Sequence, residues 1–263
     1  MKFCPPGTSR YRTVGRSDRE VDVLRQYSLM FLSGDSPPIL FAHRGARAHA
    51  PENTLEAFRL GLKLGATGLE SDLWMTSDGV AVLDHDGWAS RLRRRRIDSV
   101  DAADLPSHIP RFSELLDLVP PGTQISIDLK DSSQPEVVLE EIDRSGMASS
   151  VWLCHHDLSE LGKIREQHSE VRLVHSTDPS RIDGGLERHI ANLRSTGVDC
   201  LNMRESVWKA GDVALCHRFG RCAFGWDAQH HRTIRRLLTM GIDGIFSDHV
   251  DRLTDALNEF VQR

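Results

Sequence analysis

His43 and Arg44 stand side by side, Glu70 and Asp72 are spaced by two, His85 precedes Asp86, and Asp128 and Lys130 are again spaced by two. On an extended strand, residues spaced by two share one face. Two or three carboxylates gathered with little else suit a hard divalent cation, Ca2+ or Mg2+, better than zinc. An arginine and a lysine beside such an ion suit an anionic ligand, most economically a phosphate. Two histidines near neutrality suit paired acid and base work. Together the set reads as metal-assisted cleavage of a phosphate ester. His155, His156 and His175 also fall at strand-like ends, without a spacing that marks them out, and Asp86 reads first as a cap of the loop after His85.

These residues need elements that bring them to one place. From Ile39 onward short apolar runs alternate with amphipathic stretches: PPILFAH, ATGLESDL, TQISIDLK, SSVWLCH, EVRLVHS, VDCLNM, RCAFGWD and DGIFSD are strand-like. Helical patterns such as TLEAFRLGLKLG, EVVLEEIDRSG and HHRTIRRLLTMG lie between them. A helix after each strand implies parallel pairing, and eight such units imply a closed α/β fold, a (β/α)8 TIM barrel, with an open doubly wound sheet as the alternative. No GxGxxG follows the first strand, so a dinucleotide-binding version has no support. Barrels of this kind place their chemistry at strand ends, where the candidate residues stand.

One unit breaks the alternation. After the second strand, Asp78-Gly79 joins two runs with no room for a helix, which predicts a β-hairpin with a two-residue type I′ turn. That turn would set Trp74 opposite Leu83 and Asp72 opposite His85, bringing Glu70, Asp72 and His85 to one face.

The chain has 263 residues, with 39% hydrophobic residues and a net charge of −5. It can bury a core, and the acidic total speaks against nucleic acid as a partner. No run is apolar and long enough to span a membrane. The amino terminus lacks the apolar stretch of a secretory signal, and Cys4, Cys154, Cys200, Cys216 and Cys222 form no CxxC pair, so a cytoplasmic location is expected. Residues 1–38 read as a peripheral extension with one short helix over 18–30, ahead of a barrel over 39–263. The dense run Arg91 to Arg96 follows the hairpin; it reads as a solvated loop or as a transient contact with a membrane surface.

The stretch FAHRGARAHAPENTLEAFRLGLKLGATGLESDLWMTSDGVAVLDHD, with HRG, PENT, E-x-D, the DG turn and HD in order, resembles the opening of glycerophosphodiester phosphodiesterases. IPRFSELLDLVP with ISIDLK, and GIDGIFSDHVDRL, resemble later blocks of that family. The resemblance implies a TIM-barrel hydrolase that converts a glycerophosphodiester and water into sn-glycerol 3-phosphate and an alcohol. It implies His43 and His85 as the acid–base pair, and Glu70, Asp72 and Asp128 as ligands of one divalent cation, Ca2+ or Mg2+. Arg44 and Lys130 would hold the phosphate, Trp226 would flank the glycerol, and Glu52 and Asn53 would brace the first loop. Two departures stand out: aspartate replaces the family's usual glutamate at position 128, and the arginine run replaces a threonine- and glycine-rich stretch after His85-Asp86. The rivals are lysophospholipase D-type cleavage of lipid-tailed substrates and a catalytically silent barrel that binds phosphodiesters.

Overall fold

The structure, a computed structural model, describes residues 37–90, 92, 94–130 and 134–262. The expected helix over 18–30 lies outside the described residues, as do Arg91 and Arg93. Each strand-like run forms a strand: β1 (Ile39–Ala42), β2 (Gly68–Met75), β6 (Gln124–Leu129), β7 (Val151–His155), β8 (Arg172–Ser176), β9 (Cys200–Arg204), β10 (Cys222–Trp226) and β11 (Gly244–Ser247). They pair in parallel in the order β1-β11-β10-β9-β8-β7-β6-β2, and β1 also pairs with β2, which closes the barrel. Helices lie between them: α1 (Leu55–Lys63), α2 (Phe112–Leu118), α3 (Pro135–Ser145), α4 (Leu158–Gln167), α5 (Leu186–Ser195), α6 (Ala210–Arg218) and α7 (His231–Met240), and α8 (Val250–Val261) follows the last strand. The expected (β/α)8 architecture is the one observed.

The barrel interior is packed with side chains. Phe41 and Phe246 stack at 4.4 Å, and Phe224 meets them edge-on at 5.4 and 5.8 Å. Trp152 and Val174 extend this cluster, and the Trp152 indole nitrogen donates to Gln124 Oε1 at 2.8 Å. Edge-on and offset ring contacts add to the burial of apolar area. This plug gives the polar strand ends above it a rigid base.

The hairpin forms, but its register differs from the expected one by one residue. β3 (Ala81–Leu83) runs antiparallel to β2, with Leu73 opposite Leu83, Trp74 opposite Val82 and Met75 opposite Ala81. The cause lies in the turn. Gly79 alone enters the left-handed region, with φ +76°, whereas a type I′ turn needs both central residues there. Gly79 N donates to the Thr76 carbonyl at 3.1 Å, and Thr76 N donates to the Val80 carbonyl at 3.0 Å, so Ser77, Asp78 and Gly79 form a three-residue loop. Thr76 supports it by donating its hydroxyl to Asp78 Oδ1. Asp72 therefore lies opposite Asp84, whose N–H donates to the Asp72 carbonyl at 3.1 Å, and not opposite His85.

Beyond β3 the chain forms a second, small hairpin from β4 (Trp88–Ser90) and β5 (Arg95–Arg96). Its Arg96 is not a solvated residue. The guanidinium lies 4.6 Å from the Trp74 ring and 5.0 Å from the Trp88 ring, and it donates to the Asp86 carbonyl at 2.8 Å. Leu92, by contrast, is 95% exposed.

Because only Gly79 needs a positive φ and open space surrounds it, Gly79→Ala should cost about 1 kcal/mol. Gly79→Asn should cost less, since asparagine tolerates the left-handed region. Urea denaturation midpoints of the two variants check this.

Candidate active site

The site is built from the turn after β1. Arg44 and Gly45 both take positive φ, +51° and +79°, and a side-chain carbon on Gly45 would come within 2.6 Å of Ala57. This tight turn aims the Arg44 backbone N–H at Glu70, to which it donates at 2.9 Å. The Arg44 guanidinium donates to Glu52 at 3.0 Å, and its Nε lies 3.5 Å from Asp72 Oδ2. Asn53 braces the turn from behind: its amide donates to Asp72 at 3.4 Å, and its carbonyl accepts from the Ser71 hydroxyl at 2.7 Å. Thr54 then caps α1 by accepting from Ala57 N. Glu52 and Asn53 thus brace the first loop, as expected.

The parallel ladder sets Asp72 of β2 beside Asp128 of β6. Lys130, two residues on, places its ammonium between them, 2.8 Å from Asp72 Oδ1 and 2.5 Å from Asp128 Oδ2. His43 Nδ1 lies 2.6 Å from Asp248 Oδ1, and its Nε2 lies 3.8 Å from Glu70 Oε2. His85 Nδ1 lies 2.6 Å from Asp86 Oδ1. Asp86 is thus a partner of His85, and Asp84 caps the same loop by accepting from Gly87 N at 2.6 Å.

One cavity of about 430 Å³ opens here, and all of His43, Arg44, Glu70, Asp72, His85, Asp128, Lys130 and Trp226 line it. Despite the altered register His85 reaches it, because the chain leaves the ladder after Asp84. Residues not anticipated from sequence also line it, among them Arg47, Asn202, Gln229 and Asp248. Asp248 ends the β11 run FSD, so the strand-end criterion that marked the others applied to it as well. Arg47 and Gln229 carry no sequence signal. His155, His156 and His175 are not among the lining residues; His175 is buried and pairs with His189 at 3.0 Å.

The two histidines are driven in opposite directions. Burial presses His43 down, but the Glu70 charge and the hydrogen bond that His43 donates to Asp248 outweigh it and raise its pKa above the ordinary histidine value. Burial lowers His85, Asp72 opposes this, and the nearby cations Arg44 and Lys130 reinforce it; the net shift is downward. Among the carboxylates, burial would raise Asp72, but Lys130 and Arg44 hold it below the usual range. Glu70 has weaker compensation. Burial, with Asp72 and Asp128 as like charges, pushes it up to about 7 against the pull of His43 and the Arg44 amide.

Glu70, Asp72 and Asp128 are an all-oxygen donor set, and Glu70 is a buried carboxylate short of positive charge. Both properties fit a hard divalent cation. The oxygens of all three are not gathered within 4.8 Å of one another; the Lys130 ammonium stands between two of them.

The sequence matches the model of the glycerophosphoryl diester phosphodiesterase family over residues 43–252. The chain belongs to that family. A glycerophosphodiester phosphodiesterase of Bacillus altitudinis is 27% identical over 244 residues, covering 81% of this chain and 95% of that protein. The same fold occurs in the glycerophosphodiester phosphodiesterase of Thermotoga maritima, with a TM-score of 0.71 at 23% identity, covering 83% of this chain and 97% of that one. It occurs also in an Oleispira antarctica phosphodiesterase solved with its product sn-glycerol-3-phosphate, with a TM-score of 0.74 at 19% identity over 89% of this chain and 99% of that one. Family membership makes this chain a phosphoric diester hydrolase.

A carboxylic acid raised in the folded state binds its proton more tightly folded than unfolded. Its contribution to stability is therefore full below the unfolded value and lost as pH rises towards about 7. In metal-free protein Glu70→Gln should remove this loss, raising stability at pH 8 by on the order of 2–3 kcal/mol and leaving pH 4 nearly unchanged. Denaturant unfolding at both pH values in EDTA measures it.

Proposed function

We propose that this chain hydrolyses water-soluble glycerophosphodiesters to sn-glycerol 3-phosphate and an alcohol, using one divalent cation, Ca2+ or Mg2+, with His43 and His85 as the acid–base pair. The observation that carries this reading is the opposite displacement of two histidines facing one carboxylate- and cation-lined cavity. Environments that drive two titratable groups apart divide the acid role from the base role. His85, its pKa lowered by burial, Arg44 and Lys130 and its ring oriented by Asp86, takes the proton of the attacking hydroxyl, from water or from the glycerol 2-hydroxyl. His43, its pKa raised and its ring gripped by Asp248, gives its proton to the leaving alkoxide.

Glu70, Asp72 and Asp128 would hold the cation, which supplies charge neutralisation and Lewis acidity at the phosphate when bound. Aspartate at position 128 is one methylene shorter than the family's glutamate, and it shares Lys130 with Asp72. Arg44 and Lys130 bind the phosphate oxygens. Trp226 flanks the glycerol, and Asn202 Oδ1, buried without a partner at the cavity wall, accepts from a glycerol hydroxyl. The product carried by the Oleispira antarctica protein supports the substrate class.

Two observations favour lysophospholipase D-type cleavage as the second reading. Trp226 is 38% exposed at the cavity rim, and exposed Leu92 stands within the arginine run. Arg91 to Arg96 would then rest transiently on an anionic membrane surface, although Arg96 is itself held between two tryptophans. Among the described residues no helix is long and apolar enough to cross a membrane. The free thiols Cys154, Cys200, Cys216 and Cys222 fit a reducing, cytoplasmic setting. The division into an extension over 1–38 and a catalytic barrel over 39–263 belongs to the same proposal.

The test is product analysis. Glycerophosphocholine or glycerophosphoethanolamine should yield glycerol 3-phosphate with Ca2+ or Mg2+, and neither should do so in EDTA. Choline release from lysophosphatidylcholine alone would select the second reading, and silence on every substrate would select the silent barrel. His43→Ala and His85→Ala should each lose about 10²–10⁴-fold in kcat while keeping the fold. The pH profile of kcat/KM should be bell-shaped. Its acid limb should lie below the ordinary histidine value, set by His85, and its alkaline limb above it, set by His43. Near-wild-type turnover in both alanine variants would sink the assignment.

A further inference from the structure

A second group of ligand-type side chains lies outside the cavity. His49, on the loop between β1 and α1, and His249 and Asp251, at the start of α8, offer three donor atoms that lie within 4.8 Å of one another. His49 Nε2 is 3.0 Å from Asp251 Oδ1, and the two imidazole rings meet edge-on at 6.0 Å. The two segments are some 200 positions apart in sequence, yet they are held together by the backbone: Ala48 N donates to the Asp248 carbonyl at 3.1 Å. His49 is exposed, and His249 and Asp251 are half-buried, so an ion can reach the group from solvent.

We propose that His49, His249 and Asp251 form a second metal site, one that takes a borderline transition ion of the Zn2+ type rather than Ca2+ or Mg2+. Two imidazole nitrogens and one carboxylate oxygen are the donors such an ion selects, whereas the hard ions demand oxygen throughout. Three protein ligands leave a fourth position for water or an external ligand. The start of α8 opposes a cation through only about half an elementary charge, which the Asp251 carboxylate outweighs.

The consequence reaches the active site through the chain itself. Asp248, beside His249, grips His43 Nδ1, and Arg47, two residues before His49, lies 3.5 Å from Asp248 Oδ2. An ion bridging the loop to α8 therefore staples the contact that orients His43. The site makes the protein responsive to zinc without using any cavity-lining residue as a ligand.

The experiment is calorimetric titration of Zn2+ into the full chain in excess Mg2+, with Co2+ absorption as a geometric readout. One zinc per chain is expected beyond any that Mg2+ competes for, with a tetrahedral cobalt spectrum and a raised melting temperature. His49→Ala and His249→Ala should each weaken that zinc by more than the roughly 10–100-fold that losing a residue that only supports a ligand costs. Asp251→Asn should weaken it as well. Circular dichroism confirms that the variants fold, and Mg2+ binding should be unchanged in all of them. Zinc affinity and cobalt spectrum unaltered in both histidine variants would assign the ion to other histidines and overturn the proposal. Loss of the zinc to Mg2+ would overturn it equally.

Discussion

The active-site architecture depends on keeping the β2 carboxylates, Glu70 and Asp72, inside the wall of a barrel. Removing such an ion from water costs several kcal/mol even after relaxation. A unit charge about 3 Å away at an effective dielectric of about 20 returns about 5 kcal/mol, enough to offset that cost. Asp72 has such a partner in the Lys130 ammonium, and it stays ionised. Glu70 has a backbone N–H and a histidine 3.8 Å away, which is not enough, and its pKa climbs. The difference between two carboxylates spaced by two residues on one strand is thus a difference in what stands opposite each.

Several features elsewhere serve that imbalance. The left-handed turn at Arg44 and Gly45 exists to bring an amide to Glu70, and it closes only because Gly45 can lie against Ala57 without a side chain. Glu52 and Asn53 hold the turn, and Ser71 holds Asn53. The aromatic plug below, centred on Phe41, Phe224 and Phe246, keeps the strand ends from collapsing inward. On the far side, Arg96 between Trp74 and Trp88 fixes the Asp86 carbonyl, and Asp86 in turn fixes His85.

Much of this was legible in the sequence, for identifiable reasons. Period-two spacing put Glu70 with Asp72 and Asp128 with Lys130, and strand pairing in a closed barrel needs only that period to be right. Alternation of apolar runs with amphipathic helices was enough for the eight strands. The hairpin register was not legible, because Asp-Gly is compatible with two loop lengths. The choice was made by Thr76, whose hydroxyl and backbone close a three-residue loop that a dipeptide rule does not see. Arg47 escaped for another reason: its role arises from the meeting of the first and last strands, nearly the whole chain apart, whereas Asp248 stands at a strand-like end like the others. Arg96 was hidden within a run of like residues, where composition suggests solvent and the tryptophans decide otherwise.

Glu70 is a buried carboxyl group lacking a cation, in a cavity where Glu70, Asp72 and Asp128 would hold one. Calorimetric titration of Mg2+ and Ca2+ into the wild type and Glu70→Gln, repeated in buffers of different ionisation enthalpy near pH 6.5, tests it most directly. The account predicts a single site that releases a proton on binding, as Glu70 ionises, and that is lost in Glu70→Gln. Equal affinity in the two proteins, or binding without proton release, would contradict it.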